Sequence, residues 1–104
     1  MSNAQKAVLI VINGPIASGK NAVSTALAGL LERHGRRVAV IDLDEVWMML
    51  DHQKPQTHVL ENWLEARRAA AILTDEFYRS GRNAVIVNGP FFTEAERRGY
   101  LHHL

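Results

Sequence analysis

Lys20 ends the run Gly14-Pro15-Ile16-Ala17-Ser18-Gly19-Lys20, a spacing of G-x-x-x-x-G-K. The chemistry of such a run is anion binding. A loop that enters a helix turns several backbone N–H groups toward one point, and the helix adds the positive end of its dipole. Gly14 and Gly19 allow backbone angles and a close approach that a Cβ would block. Lys20 supplies a point cation suited to β- and γ-phosphates. The stretch Gly14, Pro15, Ile16, Ala17, Ser18, Gly19, Lys20, Asn21 and Ala22 therefore suits a nucleoside triphosphate. The simpler alternative is a glycine-rich turn with an exposed lysine. The flanks argue against it, because an apolar run precedes the loop and a helix-period pattern follows.

One position departs from this pattern. A Ser or Thr hydroxyl is expected after the lysine to hold Mg²⁺, and Asn21 stands there instead. An amide oxygen can bind a hard cation, with a different reach. Ser24 and Thr25 lie too far along the helix to replace it without a shift.

Asp42 and Asp44 are the second candidate group. If both are extended they face one side. One could then hold Mg²⁺ through water, and the other could orient or deprotonate an acceptor hydroxyl. The alternatives are structural: Asp44 as cap of a helix starting at Glu45, and Asp42 as a strand end. Asn88 stands where an Asp for the Mg²⁺ shell is often found, and a turn role before Gly89-Pro90 competes. Both usual Mg²⁺ positions, Asn21 and Asn88, are thus amides. Arg67 and Arg68 could grip an anionic acceptor, although a solvated helix face also accounts for them. Trp47 is the aromatic best placed to contact an acceptor. Trp63, Phe77, Phe91 and Phe92 read as core, and the five histidines, without ligand spacing, as surface.

The elements that must position these groups follow from periodicity. Ala7 to Asn13 is an unbroken apolar strand, expected to be buried on both faces. Lys20 to Arg33 is a helix stopped at Gly35. Val38 to Ile41 is a second strand, and strand–helix–strand implies a parallel sheet. Helices follow over 45–52 and 58–79, the second stopped by Gly81. Ala84 to Val87 is a third strand, and Thr93 with Glu96 has the capping-box spacing that opens a last helix. The fold class is α/β, a three-layer αβα arrangement on a parallel sheet of three strands. Its ligand rim is at the carboxyl ends of those strands.

Composition sets the outer bounds. The chain has 104 residues and suits one domain, residues 7–104, behind a scar-like or disordered stretch over 1–6. Twelve basic side chains against 11 acidic ones give no footprint for nucleic acid or an acidic membrane. With no cysteine, disulfides, thiol catalysis and thiolate metal sites are excluded, and a reducing cytoplasm is the expected location. The one long apolar run is too short to span a membrane.

Val8 to Asn21, Val38 to Trp47 and Ala69 to Pro90 together resemble the first half of small P-loop kinases. The compact metabolite kinases are nearest: the chloramphenicol phosphotransferase, adenylylsulfate kinase, gluconate kinase and zeta-toxin-like groups. The resemblance implies ATP on the phosphate loop and carboxylates after the second strand facing the acceptor. Asp44 matches the proposed base of the chloramphenicol phosphotransferases, and Asp42 the first acid of the Asp-x-Asp stretch of adenylylsulfate kinases. Such kinases continue with a lid carrying arginines, further strands and an adenine-binding loop. A truncated, naturally short or partner-completed form is therefore expected. An open sheet edge and apolar surface would favour self-association.

The expected function is an ATP- and Mg²⁺-dependent phosphotransferase acting on a hydroxyl of a small metabolite, or its nucleotide-binding half. The rival is a non-catalytic nucleotide-binding protein, favoured by the two amides. A GTPase fits less well, because no Asn-Lys-x-Asp guanine motif occurs.

Overall fold

The computed structural model describes residues 6–14, 19–50, 59–90 and 94–104. Three strands, β1 (Val8–Asn13), β2 (Val38–Asp42) and β3 (Ala84–Gly89), form one parallel sheet in the order β1-β3-β2. The last strand in sequence is therefore the middle one in space. Its residues Ala84 to Gly89 are all buried, with Val8 to Asn13 on one side and Val38 to Asp42 on the other.

Side chains alternate across a strand, so β3 serves two layers. Val85 and Val87 join Ile41, Leu43, Val46, Ala66, Ala70, Ala71 and Tyr100 in the main core. That face is covered by α2 (Leu43–Met48), α3 (Val59–Arg79) and α4 (Glu94–His102). The opposite face carries α1 (Lys20–Arg33). Ala66, Ala70 and Ala71 form a small-residue stripe that lets α3 lie close on the sheet. Tyr100 brings α4 in. Its hydroxyl meets Thr74 Oγ1 at 2.8 Å, and Thr74 in turn donates to the Ala70 carbonyl at 2.8 Å. Burial pushes the Tyr100 hydroxyl up to about 12, opposed by its bond to Thr74.

The expected helix stops hold, since Gly35 (φ 84°) and Gly81 (φ 102°) both take left-handed backbone. Two expectations are corrected. β1 is only half-buried, not covered on both faces, because among the described residues it pairs with β3 alone. An apolar run of this kind signals a parallel strand without telling centre from edge. The second correction is at α2, which begins at Leu43, two residues before Glu45, and ends at Met48. Asp42 is its cap: the backbone there is extended, and the carboxylate accepts the Asp44 N–H at 3.0 Å. Asp44 lies inside the first turn rather than capping it.

The proposed capping residue Thr93 lies outside the described residues, as do His52, His58, Phe91 and Phe92. The described histidines, His34, His102 and His103, are exposed as expected. No helix among the described residues is long and apolar enough to cross a membrane.

Candidate functional site

The carboxyl ends of the three strands form one rim. Register aligns Ile12, Asn88 and Asp42 across the sheet, and Gly14 N–H donates to the Gly89 carbonyl at 3.2 Å. Gly14, Asp42 and Asn88, chosen from separate parts of the sequence, thus come together. Pro15, Ile16, Ala17 and Ser18 lie outside the described residues, and so does the Lys20 side chain.

What is described of the loop is its junction with α1. Gly19 takes φ 86° and ψ 9°, left-handed backbone that disfavours any residue with a Cβ. Its carbonyl accepts the Val23 N–H at 3.1 Å, so α1 is hydrogen-bonded from its first residue, Lys20. No side chain caps this helix among the described residues, and its first turn carries no acid. Asn21 and Ala22 are exposed there. A helix opening that no described side chain caps, starting at a lysine and following a parallel strand, is suited to phosphate.

Beside this opening is a groove of about 220 Å³ lined by Asn21, Ser24, Thr25, Val40, Asp42, Glu45 and Asn88. Its lining combines two carboxylates, two amides and two hydroxyls. Thr25 is committed to its own helix, donating to the Asn21 carbonyl at 3.0 Å. Asn88 is 1% exposed and donates through Nδ2 to Ser24 Oγ at 2.7 Å. Its Oδ1 is buried and has no hydrogen-bond partner among the described residues.

Asp44 is not among the groove-lining residues. It follows the cap by two, on the short helix α2. One turn on, Trp47 stacks against Trp63 of α3, with ring centroids 5.2 Å apart and planes 19° from parallel. Both rings pack against the core, as does Phe77.

What sets α2 at the rim is Gly89. A Cβ on it would lie 2.5 Å from the Leu43 Cβ, so only glycine lets α2 approach the end of β3.

Arg67 and Arg68 divide. Arg68 is exposed, as a solvated face requires. Arg67 is 4% exposed, and its Nη1 contacts Glu96 Oε2 at 2.9 Å, tying α3 to α4. The solvated-face reading is corrected for Arg67. It lines a separate cavity of about 240 Å³ with Leu64, Ala95, Glu96, Gly99 and His103, not the groove at Asp42.

Three polar groove residues, Ser24, Thr25 and Glu45, carry no signal in the sequence that assigns them to a site. Glu45 reads as a helix start, although its spacing of three from Asp42 places it one turn beyond a cap. Ser24 and Thr25 lie too far along the helix for the usual metal position, and no local signal marks Ser24, because its partner Asn88 is 64 residues away.

The family model described as AAA domain matches residues 9–104. The chain belongs to the AAA domain family. This is a P-loop NTPase-like kinase family, and the membership carries nucleotide binding as the coarse function. A solved structure described as "Crystal structure of APE1195" is similar, with a TM-score of 0.73 at 24% identity. The alignment covers 96% of this chain and 56% of that one, so the chain spans just over half its length. At that identity the likeness shows the fold, a partial P-loop NTPase-type α/β domain. No curated protein matches the chain. P-loop domains of the AAA type generally bind nucleotide with Mg²⁺.

The donor chemistry of the groove can be tested against that ion. Mg²⁺ takes oxygen ligands and keeps several waters, bound through one or two carboxylates plus phosphate. Asp42, Glu45 and the orphaned Asn88 oxygen are oxygen donors of this kind, placed next to the α1 opening. They fit a hydrated divalent cation.

Proposed function

We propose that this AAA domain chain binds ATP with Mg²⁺ and moves the γ-phosphoryl group to a hydroxyl of a small metabolite, or forms the nucleotide-binding half of a protein that does. The observation that carries this reading is the uncapped opening of α1 at Gly19, on the same rim as Asp42 and Asn88.

In this reading the loop amides from Gly14 to Ala22 and the Lys20 ammonium hold the phosphates. Asp42, with Asn21, faces the cation, which when bound neutralises charge on the β,γ-phosphates. Asp44 orients the acceptor hydroxyl and takes its proton as the oxygen bonds to phosphorus and ADP departs. Trp47 borders the acceptor. Arg67 as a further acceptor contact has less support, because Glu96 already engages its guanidinium. The chain contributes positioning and electrostatics rather than covalent catalysis. A cytoplasmic location suits a nucleotide substrate. Self-association draws support from exposed Val23 and Leu30 on α1 and Leu60, Leu64, Ile72 and Leu73 on α3. A dimer in sedimentation velocity is the expected result.

A second reading, a nucleotide-binding protein without turnover, is favoured by the amides Asn21 and Asn88 in place of a hydroxyl and an acid. Calorimetric titration of ATP with and without Mg²⁺ tests the first reading. Lys20→Ala should weaken binding roughly ten- to a hundredfold, the range of a charge-assisted hydrogen bond. Binding indifferent to both Lys20 and Mg²⁺ would remove the proposal. With an acceptor in hand, Asp44→Asn should cut transfer about 10²–10⁴-fold while ATP affinity stays, the span of general-base catalysis. Unchanged transfer would remove the base assignment.

A further inference from the structure

We propose that Ser24 is a positioning residue. It holds the Asn88 amide by its nitrogen and so leaves the buried amide oxygen as the free acceptor beside the groove, where Asp42 and Glu45 would face a divalent cation. The inference rests on the nucleotide-binding reading for the role of the cation, but its geometry stands on the groove alone.

Asn88 and Asp42 are register partners on adjacent strands, so their side chains leave the sheet on one face. A neutral amide beside carboxylates would ordinarily offer them its N–H₂ group. Here Nδ2 is taken by Ser24 Oγ at 2.7 Å, and Oδ1 is left buried without a partner among the described residues. Ser24 and Asn88 are each 1% exposed, so both belong to the buried wall of the groove. An orphaned buried acceptor is unfavourable unless something donates to it. Asp42 already spends one oxygen on the Asp44 N–H, leaving the rest of its carboxylate for the groove. With Glu45 the lining carries two negative charges and a carbonyl-type oxygen, a set complementary to a hydrated cation rather than to an anion.

Ser24 is not adjacent to the phosphate loop. It sits four residues past Lys20, one turn along α1, and reaches the third strand. In this chain a hydroxyl of α1 therefore acts through Asn88 rather than from the position after the lysine.

The test uses the full chain and two cation readouts: Mn²⁺ alone, followed by its EPR signal, and the gain in ATP affinity on adding Mg²⁺. Ser24→Ala should weaken Mn²⁺ binding about fivefold and reduce the Mg²⁺ gain about tenfold, the scale of one hydrogen bond. Mg²⁺-free ATP affinity should stay within about twofold, since the Ser24 hydroxyl is engaged by Asn88. Asn88→Asp keeps a group that Ser24 can bond and adds a charge, so Mn²⁺ should bind about tenfold tighter. If Ser24→Ala does not fold, Ser24→Cys, similar in size but a weak hydrogen-bonding partner, decides the matter by the same two readouts. Equal loss of ATP affinity with and without Mg²⁺ in Ser24→Ala would make Ser24 merely structural and overturn the proposal. So would wild-type protein that takes up no Mn²⁺ with or without ATP. Ser24-dependent Mn²⁺ binding in a chain that ignores ATP would sustain this inference and remove the ATP reading instead.

Discussion

Val87 and Asn88 are consecutive residues of the same buried strand, and they serve opposite purposes. Val87 faces α3 and sits in a core of aliphatic side chains, alanines and Tyr100. Asn88 faces α1 and meets a serine, with an oxygen left over. One face of the sheet is filled by packing. On the other, the last register position of β2 and β3 carries Asp42 and Asn88 and opens into a polar groove. The lesson concerns where a parallel sheet can place polar groups. Along its length both faces must be apolar, because helices cover both. Only at the strand ends does one face become free to bind.

Four substitutions would break or sharpen that contrast. The largest effect on stability is expected at Gly89→Ala. The added Cβ meets Leu43 Cβ at 2.5 Å, and backbone must move to relieve it. We expect a loss of about 3 kcal/mol in urea unfolding, the upper part of the overpacking range. The cap at Asp42 should be displaced with α2, so the nucleotide's Mg²⁺ dependence should weaken too.

The neighbouring pair gives the sharpest comparison. Val87→Ala removes two packed methyl groups and should cost about 2 kcal/mol with cation binding intact. Asn88→Ala removes one hydrogen bond and one orphaned oxygen together, so its stability cost should stay below about 1 kcal/mol. Mn²⁺ binding should nevertheless fall. Equal stability losses at the two sites would mean that the groove face is packed as tightly as the core.

The last comparison, a modest one, concerns Tyr100. Its hydroxyl titrates near 10 in the unfolded chain and about 12 in the folded one. Between those values the folded state binds more protons, so stability is complete below pH 10 and declines toward pH 12. Tyr78 is shifted in the same direction, by burial first and Asp75 second. Tyr100→Phe should lose about 1 kcal/mol at neutral pH and flatten part of the alkaline decline expected in melts between pH 10 and 12. An unchanged alkaline slope would locate the decline elsewhere, with Tyr78 the next candidate. Tyr100→Phe should leave cation binding alone, which again separates the two faces.

Much of the fold was legible because it rests on local pattern. The strands at Val8, Val38 and Ala84, the helix from Lys20 to Arg33 and the glycine stops were each marked by periodicity or by a residue with one structural use. The start of α2 was not. Both Asp42 and Asp44 are competent caps, and the choice depends on where Leu43 packs, which is under Gly89 of a distant strand. Arg67 looked like any exposed helix arginine until α4 brought Glu96 against it.

Sequence by itself determined that this chain has a G-x-x-x-x-G-K run between a strand and a helix, a parallel α/β sheet and an Asn in place of a hydroxyl after the lysine. Those follow from residue type and short spacing, which act through local sterics and backbone hydrogen bonding. Tertiary structure alone decided that β3 is central, that Asp42 caps while Asp44 does not, and that Ser24 faces Asn88. Each depends on contacts between segments far apart in the chain, where burial is shared among several elements and no local preference chooses the partner.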